Sequence, residues 1–469
     1  MHFLHRLAAR RWLWFSILVG VALLLVPPPP GLTPAGMRAL DILIVAVILF
    51  ITEPIPLPAV ALLIAVLQAF FALASPDEIA RSFMSDSVFF IMGSLMISVA
   101  IVKQRLDRRI AFAIFRLSGP RLGRLAFGIT AVSALLASFI GEHTVAAMML
   151  PVVLAIVGLV QRDHPQVRGL AAVLIFSVAY GAQIAGVGTP SGGARNAIML
   201  DYWRSLFGIH VGYLDWMKYA YPMVLLQIPV VPWLLLHTFR PEVHDLRRAL
   251  ARLRGQVRRS GPMSLAEWQT IGIFLLVLLG WITLSGRYGL GIVALLGASL
   301  YLVTGLVKWE DLNSGVNWGV IWLYAAAISL GLRLQQTGVA SWLAQTFLGV
   351  LTPLGLAHGV GLLLAIVLLM LILTNMMSTG AAVAVLGPIT LHMAKLAGTS
   401  ILDAGFVTAI ASGFGYLVIA STPAGMIAYS SGLLRPSDYL RAGARLALAS
   451  VIILMALVTL YWPLFGPTH

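Results

Sequence analysis

An all-α polytopic membrane protein with about 11 membrane crossings is what the sequence predicts, and three observations predict it. Hydrophobic residues make up 60% of the 469-residue chain and charged residues 10%, against about 25% charged in a soluble domain. Apolar runs long enough to cross a bilayer recur from Leu13 to Leu464, and they are continuous rather than alternating, which argues against a β-barrel. Basic residues gather between the runs, at Arg6, Arg10 and Arg11, Lys103 to Arg124, Arg162 to Arg168, and Arg240 to Arg259. This is the positive-inside arrangement, so the formal charge of +14 reports topology rather than nucleic-acid binding. Cysteine is absent, which excludes disulfides, thiolate catalysis and thiolate metal sites.

Placing each basic segment in the cytoplasm gives the elements in order. The stretch "MHFLHRLAARRWLWFSILVGVALLLV" lacks a small-x-small cleavage site and runs into "PPPP". It predicts an uncleaved first helix, 13–28, with a cytoplasmic N-terminus. Spans follow at 39–53, 57–75 and 87–102. The stretches 125–140 and 145–160 lie between two basic segments, and each is short for the roughly 20 residues of a full span. They predict a re-entrant hairpin that turns at Gly141, Glu142, His143 and Thr144, because non-helical backbone at that depth needs protein or water around it. The next run is broken by "GVGTPSGG" (186–193), where glycine and proline free backbone groups, and resumes to residue 208. That predicts a discontinuous helix. A span at 214–236 then leads to a long basic loop, 237–262.

The second half repeats the plan with inverted orientation. Spans at 267–285, 289–306 and 317–334 precede a hairpin with arms at 357–374 and 381–395 and its turn at "TNMMSTGAA". A second broken helix follows at "GYLVIASTPAGMIAY" (415–429), then a basic cytoplasmic segment, 433–445, and a last span that leaves the C-terminus external. Each half carries a proline in the second hairpin arm, Pro151 or Pro388. Each break contains Thr-Pro, at Thr189-Pro190 and Thr422-Pro423. Inverted repeats with interrupted helices are the architecture of secondary transporters, whose binding sites form where the breaks meet.

Three motifs carry a resemblance: "TEPIPLPAVALL" (52–63), "AAMMLPVVLAI" (146–156) and "VNWGVIWLYAAAISLGLRLQQTGVASWLA" (316–344). In this order they resemble the divalent anion:sodium symporter family, solute carrier 13-like carriers of dicarboxylates, citrate and sulfate within a wider ion-transporter superfamily. The resemblance implies an elevator-type homodimer in the cytoplasmic (inner) membrane. It also implies a small di- or tricarboxylate as cargo, no cofactor, no nucleic-acid partner, and sodium ions or protons as coupling ions. Read onto the chain, it gives an N-terminal helix, 1–36, and scaffold helices, 37–124. A transport-domain hairpin with its broken helix follows, 125–210, then a scaffold helix and basic loop, 211–262. The second repeat has scaffold helices, 263–345, a hairpin and broken helix, 346–432, and a final helix, 433–469.

Members of that family hold substrate and sodium with Ser-Asn-Thr at each hairpin tip and with small residues at the breaks. Carried over, this marks Gly141, Glu142, His143, Thr144, Thr189, Pro190, Asn196, Ser378, Thr379, Gly380, Thr422 and Pro423 for substrate, and Arg195 joins them on its own chemistry as the cation just after the first break. Ser138, Glu142, His143, Gly188, Thr374 and Ser378 are marked for ion coupling. The tips depart from the pattern. Aligning on Pro151 places Gly141, Glu142 and His143 at the first tip, a one-residue slide places Glu142, His143 and Thr144, and aligning on Pro388 places Ser378, Thr379 and Gly380 at the second. Asparagine is absent from both tips, Arg195 replaces a proline, and Gly425 replaces an asparagine. Proton coupling or anion exchange therefore stands beside sodium coupling.

The charged candidates have open readings. Arg195 either grips a carboxylate in a bidentate way or forms a salt bridge with Glu142. Glu142 binds a cation, carries a proton, or pairs with Arg195 or His143, the side chain best suited to titrate near neutral pH. Glu53 and Asp86 are expected to be structural charges at helix ends, and Asn375 to point inward or cap an arm. A sodium/proton antiporter or arsenite-type carrier is the nearest alternative, and a channel a further one. An intramembrane enzyme lacks support, because the chain has neither an H-E-x-x-H motif nor a nucleophile elbow.

Overall fold

The computed structural model describes residues 11–104, 106, 119–247 and 262–465. Arg6 and Arg10, most of the basic segment from Lys103 to Arg124, and the basic stretch 248–261 lie outside the described residues. Among the described residues the regular elements are helices throughout. In the first half these are α1 (Arg11–Leu25), α2 (Pro34–Thr52), α3 (Leu57–Phe70), α4 (Pro76–Phe83) and α5 (Asp86–Lys103). Next come a hairpin of α6 (Leu122–Ile140) and α7 (Glu142–Gln161), a helix broken into α8 (Arg168–Ala185) and α9 (Ala194–Phe207), and α10 (Tyr213–Phe239).

The second half repeats the series from α2 to α5, and again from the hairpin onward. It runs through α11 (Leu265–Thr283), α12 (Leu290–Val303), α13 (Trp309–Gly315), α14 (Trp318–Gln336) and α15 (Val339–Leu351). A hairpin of α16 (Gly359–Thr374) and α17 (Thr379–Leu396) follows, then a broken helix of α18 (Ile401–Ser412) and α19 (Pro423–Tyr429), and finally α20 (Pro436–Ala456). Among the described residues, nine helices are long and apolar enough to cross a membrane, or up to 11 when each of two bent pairs counts as one span. Those pairs, α13 with α14 and α15 with α16, bend by 66° and 114°.

Packing follows the repeat. Helix α5 of the first half lies against α12 of the second, and α14 of the second lies against α3 of the first. The second arm of each hairpin packs on the far half of the other repeat's broken helix, α7 on α19 and α17 on α9. Such reciprocal contacts are what two copies of one unit make around a shared axis. At the centre, 94% of the most apolar stretch of α8 and 89% of that of α17 is buried, against 33% in α11 and 28% in the last helix. The first two helices thus form the core, and the latter two turn most of their surface outward.

Two expectations are corrected. The first hairpin's arms have 19 and 20 residues, not the shorter 125–140 and 145–160, because the helices take in glycine and polar residues at their first turns, Gly123 and Arg124 in the first arm and Glu142 to Thr144 in the second. The basic segment 433–445 runs straight into the last helix: α20 starts at Pro436, where Asp438 accepts from the Arg435 N–H at 2.9 Å. Helices α4, α13 and α15 were not foreseen. Helix α4 starts with a Ser75–Glu78 capping box, a device that stabilises short helices independently of any apolar run.

Candidate functional site

Both hairpin tips and both helix breaks meet in one cavity of about 470 Å³. Gly141, Glu142 and His143 enter it from the first tip, and Ser378 and Thr379 from the second. The first break contributes Pro190 through Arg195, and the second contributes Ala420, Ser421 and Pro423. Helices α5 and α14 close the opposite wall with Phe90, Ser94, Ser98, Asn317 and Tyr324, while Glu53 stands exposed at its edge. A second cavity of about 560 Å³ lies beyond Phe90 and Ala197, which line both.

The first tip turns on a single residue. Gly141 has φ +86° and ψ 146°, a conformation open to glycine and strained for other residues. It leaves the start of α7 without a side-chain cap, and Gly193 does the same for α9. In the second half, hydroxyls cap the equivalent starts: Ser378 accepts from the Ala381 N–H at 3.4 Å and Thr422 from the Gly425 N–H at 3.1 Å. Uncapped N–H groups at a half-helix start attract anions, so the anion-friendly side of the cavity is the first repeat's.

Arg195 is the cation of this side. Its side chain is 2% exposed, its Nη2 lies 3.5 Å from Glu142 Oε2, and its Nη1 donates to Thr379 Oγ1 at 3.1 Å. One guanidinium therefore links the two hairpin tips. Among the described residues, its Nε and Nη2 and the Glu142 Oε2 have no hydrogen-bond partner. The pair is held by charge rather than by hydrogen bonding, and it keeps donors in reserve. His143 stands beside it, with Nε2 3.2 Å from the Thr144 hydroxyl.

Several predicted residues do not line the cavity, because the breaks use their polar groups. Thr189 donates to the Ser138 carbonyl, and Asn196 Nδ2 donates to the carbonyls of Gly186 and Thr189 at 2.8 and 2.7 Å. The Ser138 hydroxyl turns back to the Ala134 carbonyl at 2.9 Å, and Thr374 donates to the Ser412 carbonyl at 2.6 Å. Thr422 reaches Gln183 Oε1 at 3.4 Å. Thr144, Gly188 and Gly380 also stand outside the lining; a Cβ on Gly188 would come within 2.9 Å of Val224 Cγ2, and Gly380 packs against the Tyr324 ring. Freed backbone groups in a membrane interior need such partners.

The sequence reading missed Gln183, whose Nε2 donates to the carbonyls of Gly413 and Gly415 at 3.2 and 2.9 Å. It also missed Ser98, which sits in an apolar helical run where no motif marks it, and Tyr324, which lies inside the third quoted motif but in an apolar run that does not single it out. Ser98 Oγ donates to the Ile140 carbonyl at 2.8 Å, tying α5 to the first tip. Asp86 is a helix-end charge as expected, but for another helix. Its carboxylate accepts from the N–H groups of Leu290 and Gly291 at 3.1 and 2.9 Å. Asn375 pins the second tip to the second break, donating to the Phe414 carbonyl at 3.2 Å and accepting from the Leu417 N–H at 3.0 Å.

The chain is similar to known proteins along most of its length. The family model described as "Sodium:sulfate symporter transmembrane region" matches residues 8–467. A citrate/succinate antiporter of Escherichia coli (strain K12) is 24% identical over 477 residues, 96% of each chain. A sodium-dependent dicarboxylate transporter, SdcS, of Staphylococcus saprophyticus is 23% identical over 470 residues, 94% of this chain and 89% of that one. Among solved structures, the Alcanivorax borkumensis YdaH transporter matches with a TM-score of 0.56 at 16% identity, over 83% of this chain and 89% of its own. That likeness shows a common fold.

Proposed function

The chain belongs to the divalent anion:sodium symporter family, whose transmembrane region the matching model describes, and on that premise we propose that it carries a small di- or tricarboxylate through the cavity between its two hairpin tips. As a member of that family it is a secondary transporter of anions, not an enzyme. The observation that carries the finer reading is Arg195, a buried guanidinium with unpaired donors beside the uncapped starts of α7 and α9. A carboxylate matches that fork in shape and charge. The Thr379 hydroxyl, which accepts from Arg195 Nη1 at 3.1 Å, stands beside the same fork, and Ser378 precedes it at the second tip. The names of the citrate/succinate antiporter and of the dicarboxylate transporter support the same cargo class.

Coupling is proposed to be by protons or by exchange of anions rather than by sodium in the usual way. Support comes from the tips, where Glu142 and His143 stand in place of neutral amide and hydroxyl side chains. The moving unit is proposed to be the two hairpins with their broken helices, residues 125–210 and 346–432, working in a homodimer as an elevator in the inner membrane. The N-terminus is proposed to lie in the cytoplasm and the C-terminus outside, a reading supported by the distribution of basic residues.

Uptake of labelled succinate, citrate and sulfate into proteoliposomes tests this, with sodium gradient, proton gradient and internal anion varied independently. Accumulation of succinate or citrate driven by protons or internal anion is the expected result. Sulfate accumulation alone, or none of the three, would refute the cargo class.

A further inference from the structure

The two broken helices point the ends of their first halves at one spot. Gly186 ends α8 and Gly413 ends α18, and a helix C-terminus carries partial negative charge that favours a cation. Arg195 fills that spot. A Cβ built on Gly186 would come within 2.6 Å of Arg195 Nη2, and one on Gly413 within 3.6 Å. Glu142 Oε2 lies on the same atom at 3.5 Å. The Gly186 and Gly413 carbonyls each already accept a side-chain amide, from Asn196 and Gln183, so they contribute field rather than hydrogen bonds. A guanidinium has five donors, yet among the described residues its Nε and Nη2 make no hydrogen bond. Its place is set by charge.

We propose that Arg195 is a resident cation, permanently occupying the place between the ends of α8 and α18 and the two hairpin tips that suits a dissociable cation. Half-helix C-termini at a carrier's midplane are where coupling ions bind. Here the positive charge is tethered, so a loaded carrier needs no sodium at this place. The proposal deepens the transport reading and rests on it only in calling the charge a coupling charge.

The test reads cation occupancy directly, as the melting temperature of the detergent-purified full-length chain in choline, sodium or millimolar guanidinium chloride, well below denaturing concentrations. The wild type is expected to melt alike in all three. Arg195→Ala is expected to gain a saturable rise of about 2–4 °C with guanidinium, which refills the vacated spot. Saturable stabilisation of the wild type by sodium overturns the proposal, and so does a folded Arg195→Ala that guanidinium leaves unchanged. Should the variant not survive purification in choline, its recovery as monodisperse protein is compared with and without guanidinium. Recovery only with guanidinium supports the proposal, and equal loss in both overturns it. The assay needs no transported anion, so its failure leaves anion uptake standing, and absent uptake leaves the melting result readable.

Discussion

At the scale of single residues, Glu142 and Arg195 answer each other. Each is an expensive group to bury alone, and removing one partner of a buried pair costs about 3–5 kcal/mol. Glu142→Gln should therefore lower the melting temperature while keeping the tip's shape. The same change removes a carboxylate that competes with the cargo for the arginine, so the anion concentration giving half-maximal uptake should fall. A rise would mean that Glu142 assists binding instead. Gly186→Ala places a methyl group within 2.6 Å of Arg195 Nη2, and uptake should drop at least tenfold in a protein that still folds, read by uptake and size-exclusion together. The sequence made these charges conspicuous, since ionisable residues in apolar runs are rare. It could not separate the two readings of Arg195, because salt bridge and cargo contact ask for the same residue type. The hydroxyls misled for a physical reason. Thr189 and Thr374 look like ligands in a list of residues, but broken helices release carbonyls that claim such groups first.

At the scale of elements, the breaks are held open by amides. Gln183 serves the second break, Asn196 the first, and Asn375 joins the second tip to its break. Replacing Gln183 or Asn196 with leucine leaves buried carbonyls unpaired, at about 1–3 kcal/mol each. Both variants should melt below the wild type, and below Thr144→Val, whose hydroxyl touches only His143 among these contacts. Equal melting points would remove the amides from this role. The breaks themselves were legible, since "GVGTPSGG" and "GYLVIASTPAGMIAY" contain the residues that free backbone groups, and they fall between α8 and α9 and between α18 and α19 as expected. Helices α4, α13 and α15 were not, because short elements carry no apolar run of span length. The arms of the first hairpin were read too short for the opposite reason: a polar residue at the first turn of a helix looks like an interruption when only hydropathy is followed.

At the scale of the whole molecule, the doubled order of elements in the sequence becomes reciprocal packing, α5 on α12 and α14 on α3. What the sequence could not supply is which helices meet across the repeats, because lipid-facing and buried apolar surfaces have the same composition. The elevator proposal makes a prediction at this scale. Ser98 on α5 and Ile140 at the first tip are in contact, and the chain has no native cysteine. Bridging the two in Ser98→Cys with Ile140→Cys by a mercuric ion should stop uptake, with recovery on adding thiol; undiminished uptake would mean that the tip does not leave α5. The central claim is that an anion crosses here on a tethered cation. Counterflow of labelled succinate or citrate, whichever accumulates, in proteoliposomes of wild type and Arg195→Ala, in sodium and in choline, tests it most directly. Counterflow that is equal in the two media and lost in the variant is the predicted result. Counterflow that requires sodium and survives in the variant would contradict it.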